Sequence, residues 1–260
     1  MAERVILCMK WGTLYGADYV NVLHNAVRQN LSGPFRFVCL TEDGAGLDAG
    51  IETFPIPEFG LEQWHWYDGA WPKLGVFRRD LYGLSGRALF IDLDMMVLDR
   101  LEPFFDFPHP FVTTDMGPNW RRRHGDGPVE PGTCMFAFDI GQEAQILDRF
   151  TADRDGAVAR FHIEQNCVAA FASSMATWPP GWVISFKRHL RRPPLLGLAL
   201  PVPRPPAGAK VLAFHGKPRP ADLIRPGIWG QAPHLGRGPV GWMRDYWRRN
   251  GGQSLGQNAR

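Results

Sequence analysis

The chain has 260 residues, 45% of them hydrophobic and 21% charged, and carries a formal net charge of +3. Such a composition suits one soluble α/β domain and excludes a disordered or fibrous chain. The charge suits an anionic substrate but is too small to argue for nucleic acid as a partner.

Residues 4–9 (RVILCM) form a nearly continuous apolar run, the pattern of a strand covered on both faces. This run is too short for a signal peptide or a membrane span, which leads to an expected cytoplasmic location. The loop KWGTLYGA follows, and over 18–30 the residues Val20, Leu23, Ala26 and Val27 recur at helical spacing. A second strand is expected at 35–40 (FRFVCL). Cys8 and Cys39 fall inside these strands, and with Cys134 and Cys167 they form no Cys-x-x-Cys pair, so all four read as free thiols. Strand, loop, helix and strand in this order open a doubly wound sheet, which binds ligands at the carboxyl ends of its strands.

A helix is expected over 71–84, with Pro72 in its first turn and Leu74, Phe77, Leu81 and Leu84 on one face. The run ALFIDLDMMVL (88–98) reads as one buried strand carrying Asp92 and Asp94. Further strands are expected at 111–114 and 134–138, helices at 143–150 and 164–171, and a last strand at 211–214 ending before His215. The proline-rich stretch 191–209 reads as a long loop. Residues 1–250 therefore read as a single domain and 251–260 as a disordered tail.

Asp92 and Asp94 break an otherwise apolar strand. Two residues apart, they would point to the same side, where two unneutralised carboxylates repel. A divalent cation resolves that conflict, and oxygen donors suit Mn²⁺ or Mg²⁺. The plainer reading is a pair of solvent-facing aspartates at a strand end. In FHGKPRP (214–220), His215 could complete the coordination, Gly216 would let backbone amides approach a phosphate, and Lys217 would neutralise a leaving diphosphate. The plainer reading there is a structural histidine followed by a turn.

The order of these elements, with a W-x-K segment, IDLD, LEPFF, a Glu-Gln helix start and a late FHG-K-P, resembles the retaining GT-A glycosyltransferases, most closely family 8 (the glycogenin and lipooligosaccharide galactosyltransferase type). The resemblance spans Val5 to about Pro220. It implies a GT-A-like, Rossmann-like mixed sheet flanked by helices, and hexose transfer from a nucleotide diphosphate sugar, with UDP expected, to a saccharide or glycolipid acceptor. By the same resemblance Asp92, Asp94 and His215 would hold the metal. Met9, Lys10, Trp11, Gly12 and Tyr15 would cradle the base and ribose. Lys73 would face the donor phosphate or sugar, the alternative being a solvated helix lysine. Asp92, Gly216 and Lys217 would touch the donor, and Gln165 would lie near the reacting carbon, with Glu164 as fallback nucleophile. The sequence departs from the family in three places: HGKP is shorter than the usual H-x-x-G-x-x-K-P, Glu164 replaces an aspartate, and Gly132-Thr133-Cys134 replaces an asparagine-containing stretch.

Four further segments invite a role. Thr114 and Asp115 either face the donor sugar or form a turn. RRRHGDG (121–127) and SFKRHLRR (185–192) are basic, and Lys187 is the candidate phosphate contact in the second. The aromatic and basic segment 238–250 suits a terminal helix docked on the domain, or a peripheral membrane contact at the inner face. Two competing functions remain: a sugar nucleotidyltransferase, against which KWGTLYGA is a poor match to a glycine-rich basic loop, and a binding protein of the same fold without catalysis.

Overall fold

The computed structural model describes residues 3–117, 120, 128–193, 196–232 and 234–252. The near-continuous apolar runs form the strands β1 (Arg4–Lys10) and β2 (Arg36–Thr41), joined by α1 (Ala17–Asn30), and β3 (Glu52–Phe54) follows. Strand β4 (Arg87–Ile91) leads to β5 (Met95–Val97), then to α2 (Glu102–Phe105), β6 (Phe111–Asp115) and β7 (Pro131–Asp139). Helices α3 (Gln145–Ala152), α4 (Arg154–Phe161) and α5 (Glu164–Phe171) precede the short strands β8 (Ala176–Thr177) and β9 (Val183–Ser185). The remaining elements are α6 (Leu196–Ala199), β10 (Val211–Ala213), α7 (Pro220–Ile224), the hairpin β11 (Gly227–Gln231) and β12 (His234–Gly238), and α8 (Gly241–Arg249).

Seven strands form a mixed central sheet in the order β3-β2-β1-β4-β7-β6-β8. The pairs β2/β3, β1/β2 and β1/β4 are parallel, and β7 runs antiparallel to both β4 and β6. A doubly wound opening is thus extended by an antiparallel strand. A second sheet of three strands has the order β5-β10-β9. Alternation along β1 divides the core: Ile6 and Cys8 face α1, α8 and the second sheet, whereas Val5, Leu7 and Met9 face Trp71–Phe77 and α3–α5. All four cysteines are free.

Two expectations need correction. The helix expected over 71–84 is a 3-10 helix over Trp71–Phe77 only, followed by extended chain at Arg78 and left-handed backbone at Tyr82 and Gly83. The spacing of Leu74, Phe77, Leu81 and Leu84 correctly marked burial. The coil ends at the extended Arg78, and the left-handed Tyr82 and Gly83 keep it from resuming; within it, Gly75 sits against Pro57 and Phe59, where a Cβ would come within 3.2 Å of both. The run 88–98 is likewise not one strand. It is β4 in the central sheet and β5 in the second, with Asp92–Asp94 in the turn between them, closed by a bond from the Met95 amide to the Asp92 carbonyl at 3.2 Å.

The terminal helix docks. Met243, Tyr246 and Trp247 are buried, the Val97 amide donates to the Tyr246 hydroxyl at 3.0 Å, and Trp247 packs edge-on to Tyr19 at 4.9 Å. Among the described residues no helix is long and apolar enough to cross a membrane. The stretch 191–209 is irregular apart from α6 where it is described. Residues 121–127, and the tail beyond 252, lie outside the described residues.

Candidate active site

The carboxyl ends of β1 and β4 open into a cavity of about 480 Å³, within the range of small-molecule sites. Its wall comes from three segments: Met9 near the end of β1 with Trp11–Tyr15 after it, Trp66–Lys73 in part, and Asp92–Asp94. Local chemistry fixes each. Gly12 takes a left-handed φ of +58°, and its amide donates to the Glu42 carboxylate at 2.9 Å. The Trp11 indole N–H donates to the Trp66 carbonyl at 2.7 Å, tying the first segment to the second. Gly69 (φ +82°) accepts a 2.9 Å bond from the Glu164 amide, and a Cβ there would meet the His162 carbonyl oxygen at 2.9 Å. That close approach sets the 3-10 helix against the start of α5.

The second segment delivers Lys73. Its side chain is buried, and its ammonium donates to the Asp92 carboxylate at 2.7 Å and lies 3.6 Å from Glu164. The alternative of a solvated lysine is thereby excluded. Burial alone would lower the Lys73 pKa, but the charges of Asp92 and Glu164 outweigh it and hold the ammonium above its ordinary value. Glu164 also accepts a short bond from the Thr133 hydroxyl and is 4% exposed, and burial raises its carboxyl. Gln165 accepts from the Thr133 amide at 3.4 Å.

The two aspartates differ. Asp92 has Lys73 as a counter-ion, although withdrawal from water still raises its carboxyl. Asp94 accepts a 2.8 Å bond from the Tyr15 hydroxyl and has no cation paired with it among the described residues. Burial first, and the Asp92 charge second, push its carboxyl up to about 7. This is the electrostatic conflict expected of the pair, but it arises in a turn between sheets rather than on one face of a strand.

His215 lies beyond β10, which runs antiparallel to β5 with Ala213 opposite Met95, so the same end of the second sheet carries both His215 and Asp94. Its Nε2 is 2.7 Å from the Ser185 hydroxyl, and its ring stacks on Trp120 at 5.3 Å. Burial, and then Lys187, Arg188 and Arg191, lower its pKa to about 4, leaving a neutral imidazole. Among the described residues no three His, Cys, Asp or Glu side chains are grouped closely enough to hold a metal ion in this arrangement.

Of the residues assigned to the donor, Met9, Trp11, Gly12, Tyr15, Lys73 and Asp92 line the cavity. Lys10 does not: it is buried and donates to the Asp43 carbonyl at 3.0 Å. Gly216 and Lys217 are exposed outside this wall. Asp115 accepts from the amides of Gly117 and Glu130 and Thr114 bonds to the Met135 carbonyl, which favours the turn reading for that pair. Sequence reasoning missed Thr13, Leu14, Trp66, Tyr67, Ala70 and Leu93. The aromatic cluster QWHWYDGAW just before Lys73 was the available signal.

No family model and no curated protein matches the sequence. Solved structures do match the fold. The galactosyltransferase LgtC, in complex with donor and acceptor sugar analogues, superposes with a TM-score of 0.57 at 14% identity, covering 95% of each chain. The fold is that of the GT-A glycosyltransferases. Two further GT-A neighbours are longer. The bifunctional glycosyltransferase WbbM matches 96% of this chain and 50% of its own, with a TM-score of 0.59 at 10% identity. The glycosyltransferase GlyE of Streptococcus pneumoniae TIGR4 matches 95% and 61%, with a TM-score of 0.57 at 11% identity.

Proposed function

We propose that this protein is a metal-dependent glycosyltransferase. It moves a hexose from a nucleotide diphosphate sugar, with UDP the expected nucleotide, to a saccharide or glycolipid acceptor with retention of configuration. The observation that carries this reading is the pair Asp92 and Asp94 in the wall of a ligand-sized cavity at the strand ends of a GT-A fold. LgtC, with the same fold, was solved with donor and acceptor sugar analogues.

The donor types suit Mn²⁺ or Mg²⁺, although the described side chains are not grouped around an ion and would have to draw together on binding. Asp94 is a half-buried carboxylate without a counter-ion among the described residues, Asp92 is its neighbour, and His215 is a neutral imidazole at the adjoining strand end. These three would hold the ion in exchange for the bonds to Tyr15 and Ser185. Such an ion, when bound, supplies charge neutralisation to a leaving diphosphate.

The chain's own residues do the rest. The loop after β1 binds the nucleoside, Lys73 stands beside Asp92 and limits the anionic charge that meets the donor, and the turn 214–220 takes the diphosphate. The bond from the anomeric carbon to the diphosphate oxygen breaks, and a bond to the acceptor oxygen forms on the same face. The acceptor proton passes to the departing phosphate. Glu164 is 4% exposed and engaged by Thr133 and Lys73, which supports a route without a carboxylate nucleophile and gives Glu164 the task of positioning Lys73. Gln165 is the residue assigned to the reacting carbon.

A panel of UDP-, GDP- and dTDP-sugars, with and without Mn²⁺, tests the reading. One donor is expected to be hydrolysed slowly in a metal-dependent manner and to raise the melting temperature. Absence of both effects across the panel overturns it.

A further inference from the structure

The turn FHGKPRP carries two cations, Lys217 and Arg219, beyond the end of β10, and they are not equivalent. Lys217 is exposed. Arg219 is half-buried, and its guanidinium carbon lies over the Tyr15 ring, 5.8 Å from the centroid. Among the described residues it has no carboxylate partner within ion-pair distance, and its Nε is buried without a hydrogen-bond acceptor. The same Tyr15 holds Asp94 through its hydroxyl at 2.8 Å, so the guanidinium stands one aromatic ring away from a carboxylate of the cavity wall.

Lys187 approaches from a different element. It lies in the single helical turn Phe186–Leu190 after β9, and its ammonium donates to the His215 carbonyl. A Cβ at the neighbouring Gly216 would sit 3.5 Å from that ammonium. Gly216 has φ +67°, so the backbone there is open to a close approach.

A partly buried guanidinium without an anion is costly, and a planar, bidentate match to phosphate relieves that cost. Half-buried charges are also screened less by salt than an exposed lysine. Resting on the glycosyltransferase reading, we infer that Arg219, seconded by Lys187, is the principal cation for the donor diphosphate in this chain, ahead of Lys217. Lys217 points into solvent, whereas Lys187 lies against His215 and Gly216 and Arg219 lies over Tyr15, the partner of Asp94.

Calorimetric titration with pyrophosphate, UDP and uridine in the presence of Mn²⁺ tests this in the full chain. Arg219→Gln is expected to weaken pyrophosphate and UDP binding about tenfold or more and to leave uridine binding within about twofold. Lys187→Ala is expected to show a smaller loss of the same kind, and Lys217→Ala the smallest. Arg219→Lys, which keeps the charge without the bidentate fork, should recover part of the loss, whereas a merely structural role for Arg219 would weaken uridine and UDP alike. Unchanged pyrophosphate binding by Arg219→Gln, or a larger loss in Lys217→Ala, overturns the inference. Failure of the unmutated protein to bind either pyrophosphate or UDP instead counts against the glycosyltransferase reading itself.

Discussion

The two ends of the central sheet each carry a cavity rich in charge, yet they differ in kind. At the amino ends of β1 and β2 a hollow of about 530 Å³ is lined by Glu3, Arg4, Arg36, Arg100 and Glu102 among others. Its arginines are matched: Arg36 with Glu52 at 2.6 Å, Arg4 with Asp106 at 3.4 Å and Arg100 with Glu102 at 3.4 Å. At the carboxyl ends the cavity is similar in volume, but its charges do not close. Lys73 is shared between Asp92 and Glu164, and among the described residues Asp94 has a tyrosine and no paired cation, while Arg219, behind the wall, lies over that tyrosine's ring with no paired carboxylate. Size does not separate the two. Imbalance does, because a site prepared for a charged ligand must leave some of its own charge unmatched.

Mutations at each end break or sharpen that contrast. The largest effect is expected at Asp94. Asp94→Asn should weaken metal-dependent donor binding by about a hundredfold or more, while without added metal its melting temperature should not fall, because a half-buried carboxylate with no counter-ion among the described residues has been removed. A clear loss of metal-free stability would show that Asp94 is structurally matched after all. Next comes Lys73→Met, which leaves Asp92 and Glu164 together without a cation. Urea denaturation at neutral pH should show a loss of about 3–5 kcal/mol; a loss below ~1 kcal/mol would mean the lysine is not the counter-ion of the pair.

At the opposite end the effects should be small. Glu102 accepts bonds from the Ser32 amide at 2.9 Å and from Arg100, and these outweigh its burial to lower its carboxyl from 4.5 to about 2. A lowered pKa in the folded state stabilises above pH 4.5, and that contribution is lost as the pH falls toward 2. Glu102→Gln should therefore cost about 1 kcal/mol at neutral pH and make the acid limb of the stability curve shallower; an unchanged limb would refute the assignment. Smallest is Arg36→Ala. Its pair with Glu52 is part-exposed, and a change of less than about 1 kcal/mol with unaltered donor hydrolysis is expected. Loss of hydrolysis there would end the distinction between the two cavities.

What the sequence made legible follows physical lines. Strands β1 and β2 and helices α1 and α5 were readable because they are covered by core and their apolar period is unbroken. Asp92 and Asp94 were identifiable as residues out of place, but their geometry was not. Ile91 belongs to the central sheet and Met95 to the second, and an apolar run crossing between two buried sheets has the same pattern as one long strand. Leu74, Phe77, Leu81 and Leu84 announced burial without specifying backbone, since helical spacing also arises in a 3-10 turn followed by extended chain. The hairpin β11–β12 left no apolar alternation to read, as Trp229 is the one buried residue of β11. Tyr67 and Leu14 line the cavity while remaining mostly exposed, so no burial rule would have singled them out. Arg219 depends on contact with Tyr15 more than 200 residues earlier, which no local pattern records.

The turn at Asp92–Asp94 carries the chain from one hydrogen-bonded sheet to another in three residues. The separation of the two carboxylates therefore registers how one sheet sits against the other. A single residue inserted there would leave both sheets their strands, their registers and their apolar faces, and would spoil only the coincidence of two side chains. At this junction folding is forgiving and chemistry is not, so variation in its length would separate working copies of this architecture from copies that merely keep its shape.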